Sequence, residues 1–384
     1  MNLSRFTVPM ARTRAVQACL LVISAAMLGA CASSSNAPKP AELQAFVPQV
    51  NVRQAWSAKL GSVNFPLTVS ATSNGVTVAS TDGSLAQFDV RTGREIWRAT
   101  AGSPLAAGVG SDGEVAAVVT LANDLVVFAS GRELWRSKLG AQAYTAPLVA
   151  GGRVFVLAAD RSVSAFDGQS GNKLWTQQRP GEPLVLRQSG VLLPVGDTLL
   201  AGLGGRLVGL NPLNGSVRWE APIATPRGIN DVERLVDLVG PVDRQGATVC
   251  VRAFQASVGC VDAARGGLLW SKPADGLQGV AGDADLIFGT EADGTVVAWS
   301  RREGDRKWST ERLRYRQLSA PRVVGRSIAI GDASGFVHLL SRTDGSLLNR
   351  LATDGSAIAA TPVLVGNTLV VVTRSGGIFG FEPQ

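Results

Sequence analysis

The chain of 384 residues has one histidine, two tyrosines, three methionines and four cysteines, and only 17% of it is charged. Each scarcity excludes something. The lone histidine, His338, has no second imidazole for acid–base or metal chemistry. It stands in "FVHLL", a run that reads as a strand, so its role reads as structural. No cysteines are adjacent, and none is grouped with histidine at metal-ligand spacing. No nucleophile elbow, Walker loop or dinucleotide-binding glycine pattern stands in a strand–helix context. "GLGG" at Gly202–Gly205 reads as a hairpin turn. Enzymatic activity, a metal site and a cofactor are therefore not expected. Glycine is abundant, at 44 residues, among many Val, Leu and Ala. That balance indicates many short strands and turns. The length exceeds one ordinary compact core and calls for a large β architecture or a repeat array.

Residues 1–30 read as a signal peptide. Arg5, Arg12 and Arg14 precede the apolar run "ACLLVISAAMLGA", which is too short to span a membrane comfortably. The run ends in "LGAC", Leu28 to Cys31, which resembles the lipobox of bacterial lipoproteins. The resemblance implies cleavage before Cys31 and acylation of that residue. Three acyl chains anchor firmly, at about 0.8 kcal/mol per buried CH₂. Ala32, rather than Asp, follows the cysteine, which by the sorting rule of such lipoproteins implies the outer membrane. "ASSSNAPKPAELQ" is small, polar and contains two prolines, so residues 31–52 are expected to be a flexible tether. Without residues 1–30 the charge is 34 − 30 = +4, too modest to indicate nucleic acid.

A self-similar pattern fills the rest. Its clearest copy is "AQFDVRTGREIW", Ala86 to Trp97. The frame is an apolar strand, then Asp, Asn or Ser, a turn, a glycine, and a tryptophan four residues on. The glycines are Gly93, Gly131, Gly171, Gly215, Gly266, Gly304 and Gly345. The tryptophan positions are 56, 97, 135, 175, 219, 270, 308 and 349, spaced 41, 38, 40, 44, 51, 38 and 41; Asn349 stands at the last. A period near 40 with four strands per unit predicts a β-propeller rather than a solenoid, for which no capping segment is visible. Residues 357–382 supply three strands without a fourth, and "RQAWSAKL" a fourth without three. The expected fold is an all-β, eight-bladed propeller of four-stranded antiparallel blades over residues 53–384, its last blade closed by the N-terminal strand. The closure explains why Trp56 has no glycine turn before it.

Cys250 and Cys260 lie in a predicted hairpin, Thr248–Phe254 and Ser257–Ala263, about opposite each other. They form a disulfide or remain two buried thiols. The two longest spacings contain "GEPLVLRQSG" and "TPRGINDVERLVDLVG", inserts on a rigid scaffold where function tends to sit. In the first, Leu184 and Leu186 alternate about Val185 and precede Arg187. As an exposed pair beside an arginine they would anchor an interface; alternatively they are core residues of blade four's innermost strand.

The D-x-x-[TS]-G-x-x-x-W frame resembles the tryptophan-docking repeat of quinoprotein alcohol dehydrogenases, eight-bladed propellers that bind pyrroloquinoline quinone and Ca²⁺. This chain lacks their adjacent cysteine pair and catalytic insert. A resemblance covering nearly the whole chain is to the BamB family, lipoprotein subunits of the outer-membrane β-barrel assembly (BAM) machinery. "LVLR" is similar to that family's L-x-L-R segment. "ERLVDLVGPV" is similar to its acidic-R-L-S-D-x-D segment, with Val239 where a second Asp is frequent. The resemblance implies a non-catalytic, periplasm-facing scaffold that contacts the POTRA domains of BamA through Leu184, Leu186, Arg187, Glu233, Arg234 and Asp237. Unfolded outer-membrane proteins are a further candidate partner, by strand pairing at free blade edges. The alternatives are a quinoprotein-like dehydrogenase or another ligand-binding periplasmic propeller.

Overall fold

The computed structural model describes residues 38–73, 75–179 and 184–384. Signal, lipobox and Cys31 lie outside the described residues. Residues 40–384 form one compact unit. Eight four-stranded antiparallel sheets follow one another along the chain. Seven are continuous, over residues 70–100, 110–138, 148–177, 192–222, 238–273, 281–310 and 322–352. We number them one to seven. Blade eight takes Val363–Val365, Thr368–Val372 and Gly377–Pro383, and its outer strand is Val52–Lys59. The eighth blade meets the first, so the ring is closed.

The second strand is the driest element of most blades. Gly75–Ala79, Val115–Val119, Ser327–Gly331 and Thr368–Val372 are buried throughout. Both faces of such a strand are covered by neighbouring blades, so the runs are continuously apolar instead of alternating. The apolar clusters span the seams. Phe155, Leu157 and Ala165 of blade three pack with Leu199, Ala201 and Val208 of blade four. Each fully buried Val, Leu or Phe contributes about 1.5–3 kcal/mol.

The repeated tryptophan locks each seam. Its ring lies on the turn glycine of the following blade: Trp56 on Gly93, Trp135 on Gly171, Trp175 on Gly215, Trp219 on Gly266, Trp270 on Gly304 and Trp308 on Gly345. A Cβ at any of these glycines would come within 2.4–2.7 Å of the ring. The same glycines have φ of 67–75°. Glycine is thus required twice, by close approach and by left-handed backbone. The indole Nε1 then donates to the turn: Trp56 to Val90 O (2.8 Å), Trp135 to Gly168 O (2.9 Å) and Trp308 to Arg342 O (2.8 Å). Trp97, facing the shortened turn at Gly131, donates instead to the Gln87 side chain at 2.7 Å.

Blade eight closes as the pattern of strands requires. The register runs from Val52↔Pro383 to Lys59↔Gly377, and Trp56 lies opposite Gly380. Blade eight has termini where the others have an outer turn, so Asn349 has no glycine to cover. Its Nδ2 donates to Val50 O at 2.7 Å. The chain before Val52 differs from the expectation. Residues 41–51, assigned by composition to the flexible tether, lie against blades six and seven: Ala41 N donates to Arg314 O and Gln49 N to Leu348 O. Main-chain groups make these bonds, and Leu43, Phe46 and Val50 of the same segment are half-buried beside them.

The cysteine hairpin pairs Cys250 with Cys260, joined by a disulfide with Cα atoms 4.0 Å apart. Gln255 turns the hairpin at φ 47°. Both cysteines are buried in the cluster between blades five and six. His338 is fully buried, its Nε2 3.0 Å from Asp332 Oδ2.

Candidate partner-binding face

The two inserts flank blade four. Residues 184–187 precede its first strand, Leu192–Val195, and residues 223–237 link its last strand to blade five. Leu184 and Leu186 are thus outside that strand, and the core reading fails. Leu184 is 39% exposed, Leu186 half-buried and Arg187 exposed, its Cζ 5.8 Å from the Tyr144 ring centroid.

One carboxylate joins the inserts. Asp237 Oδ2 accepts the Leu186 N–H at 2.9 Å, and its Oδ1 accepts from Arg161 Nη1 at 3.0 Å. Arg161 Nη2 donates in turn to Leu184 O at 3.1 Å. Arg161 comes from a turn of blade three, at φ 62°. The arginine and carboxylate are about nine-tenths and five-sixths buried, so water screens the pair weakly. Asp237 is therefore turned inward, and it holds the extended 184–187 segment in place. Farther along, Ser189 Oγ meets Thr68 Oγ1 of the loop before blade one at 3.2 Å, and Gly190 N donates to Thr145. A shallow pocket lies under this segment, lined in part by Tyr144, Leu157, Val185, Leu186 and Leu203.

The second insert carries a single capped turn. Asn230 Oδ1 accepts Glu233 N at 2.9 Å, and Glu233 Oε2 accepts Ile229 N at 2.8 Å. This reciprocal arrangement is akin to a capping box. It spends the Glu233 side chain on the turn and pushes two apolar neighbours outward: Ile229 is 99% and Val232 71% exposed. Arg234, on the same turn, is half-buried. Val239, in the position of a second acid, is 2% exposed and bridges to Gly190. Its partner across the ladder is the fully buried Arg252, so valine there leaves that guanidinium to Glu291, at 3.1 Å.

Sequence reasoning missed Arg161, Ile229 and Val232. An arginine in a blade turn carries no periodic signal, whereas "INDV" inside an insert, apolar residues with no strand partner, was a usable one. Among the described residues, no three His, Cys, Asp or Glu side chains gather as metal ligands do. The cysteines form a cross-strand bridge in blade five. This donor set does not fit the Ca²⁺–quinone group of the quinoprotein propellers. No helix of the described residues is long and apolar enough to cross a membrane.

A family profile described as "Outer membrane protein assembly factor BamB" matches residues 81–310. A protein of that name from Burkholderia pseudomallei is 39% identical over 100% of this chain and 99% of its own length.

The chain belongs to the BamB family.

The BamB protein of Bordetella pertussis is 35% identical, covering 90% of this chain and 91% of that protein. The crystal structure of BamB from Moraxella catarrhalis superposes with a TM-score of 0.79 at 23% identity, over 86% of this chain and all of that one. A quinohemoprotein alcohol dehydrogenase from Comamonas testosteroni gives 0.66 at 13% identity, over 86% and 76% of the two chains. At such identities the likeness extends to the fold.

Proposed function

We propose that this protein is a non-catalytic scaffold of the outer-membrane β-barrel assembly machinery. It is held at the outer membrane through acylated Cys31, faces the periplasm, and binds the POTRA region of BamA with the two inserts of blade four. The family membership supports the assembly role. The observation that carries the binding site is the Arg161–Asp237 clamp, which holds the main chain at Leu184 and Leu186 and so presents Leu184 and Arg187. Beside it, the capped turn offers Ile229 and Val232, the most exposed large apolar residues of the inserts. A few apolar and arginine anchors, pre-ordered before contact, are what a modest interface needs. Within this reading Leu184, Leu186 and Arg187 touch the partner, Glu233 and Asp237 position the loops, and Arg234 belongs to the rim. The layout is a signal at 1–30, an anchored segment from Cys31 and a propeller over 53–384.

The test is co-purification of BamA from solubilised outer membrane. Leu184→Ala with Arg187→Ala should reduce recovery at least tenfold while the melting temperature stays within about 2 °C, since both side chains are exposed. Undiminished recovery from a folded double variant would exclude this face.

A further inference from the structure

We infer that blades six and seven carry a built seat for an extended segment, and that its occupant is the chain's own residues 41–51. Four arginines line it, and each reaches the strap. Arg316 Nη1 donates to Ala41 O at 2.9 Å, and Arg312 Nη1 to Gln44 Oε1 at 3.1 Å. Arg350 Nη2 donates to Gln44 O at 3.2 Å and its guanidinium lies 5.1 Å from the Phe46 ring centroid, while Arg326 donates to Gln49 O. Arg316 is itself fixed from behind by Asp332, at 2.7 Å. The strap responds with a simple pattern: Ala41, Leu43, Phe46 and Val50 are half-buried, whereas Glu42, Val47 and Gln49 are exposed. Val50 packs on the cluster of Ala329, Val337 and Leu351.

The seat is built at the one seam without a tryptophan. Leu348, which the bulge leaves out of the ladder of blade seven, gives its carbonyl to Gln49 N. Asn349 next to it takes Val50 O. A tryptophan at 349 would occupy the path of the strap.

Combined with the proposed acylation of Cys31, on which this part of the inference rests, the strap sets where and how closely the propeller hangs from the membrane. The distance along the chain from Cys31 to the propeller shortens from 52 − 31 = 21 residues to 41 − 31 = 10. Such lengths span at most about 74 Å and about 35 Å. It also makes the blade six–seven edge the side from which the anchor leaves, so the inserts of blade four are presented in a restricted range of orientations.

Hydrogen–deuterium exchange on the full-length protein tests the seat. The Ala41 and Gln49 amides, which donate to Arg314 O and Leu348 O, should exchange at least tenfold more slowly than in free peptide. Leu43→Ala with Phe46→Ala should remove that protection while the Phe336–Ser341 strand stays protected. Free-peptide exchange in the unaltered protein, or protection unchanged by the double variant, would overturn the proposal. In phosphatidylethanolamine–phosphatidylglycerol vesicles, energy transfer from a propeller label to a bilayer dye should fall in the double variant. Equal transfer would overturn the spacing role. Intact mass reads acylation separately: an unacylated Cys31 refutes the anchor and its spacing, and leaves the strap to stand or fall on exchange.

Discussion

Six seams of this ring are closed the same way, and the seam between blades seven and eight is not. Elsewhere an indole lies flat on a left-handed glycine and, in most, donates to the turn it covers. At the odd seam an asparagine reaches a main-chain carbonyl of an incoming strand. The contrast shows that the tryptophan serves the turn rather than the blade. Where no turn follows, the tryptophan is dispensable and its space becomes available to the N-terminal strap. Trp97, opposite the shortened turn, is an intermediate case: the ring stays, but its N–H finds a side chain of its own blade.

That comparison can be broken from either side. Removing the ring where it is used should cost more than adding it where it is absent. Trp56, 8% exposed, holds blade eight to blade one, and Trp56→Ala should cost about 3–5 kcal/mol, read as the shift in the urea midpoint. Deleting Gln54–Leu60 should go further and open the ring; a deleted chain that melts like the intact one would refute closure by the N-terminal strand. Introducing the ring where it is absent should cost less. Asn349→Trp should destabilise by about 1–3 kcal/mol, as overpacking does, and should release residues 41–51 to proteolysis. Were this variant as stable as the parent with its strap intact, the seam would not depend on the missing turn.

The smallest effect sharpens the comparison through pH. His338 sits beneath the strap with Asp332, Arg316 and Arg350 around it. Burial pushes its imidazole below the ordinary 6.5, outweighing the hydrogen bond to Asp332, and the two arginines push the same way. Burial alone would raise Asp332, but the bonds from His338, Phe336 N and Arg316 hold its carboxyl below 3.8. A histidine depressed in the folded state binds its proton more readily when unfolded. Its stabilisation is therefore present above the unfolded value and lost as pH falls below about 6.5. As the chain has one histidine, stability should decline between pH 7 and 5.5, and His338→Gln should flatten that decline. A decline of equal slope in the variant would assign the titration elsewhere.

How much of this was legible beforehand followed from what repeats. The spacing of Trp and Gly is a one-dimensional trace of a contact made again and again, so blade number, closure and the role of Trp56 could be read directly. The clamp of Arg161 on Asp237 is made once, between residues 76 apart, and leaves no period. Asp237 was singled out as a contact for a partner; its carboxylate is turned inward and holds residues 184–187 in place. The strap was read as tether because composition reports side chains, whereas Ala41, Gln44, Gln49 and Val50 are held by their carbonyls. The cysteine pair lay between these extremes: a hairpin period placed the two opposite, and only the fold could join them.

Closure by the two ends of the chain sets an order of events during synthesis. Arg53 and its ion-pair partner Glu382 are separated by 329 residues, and Val52–Lys59 leaves the ribosome long before Gly377–Pro383 exists. The first strand made is among the last to pair, and the whole array of blades must wait for it. Contacts of such separation form slowly, and an unpaired strand invites wrong partners meanwhile. The composition of this strand suits a long wait. With Arg53, Gln54, Ser57 and Lys59 among its eight residues, it stays soluble alone and becomes part of a sheet only when the C-terminal strand arrives.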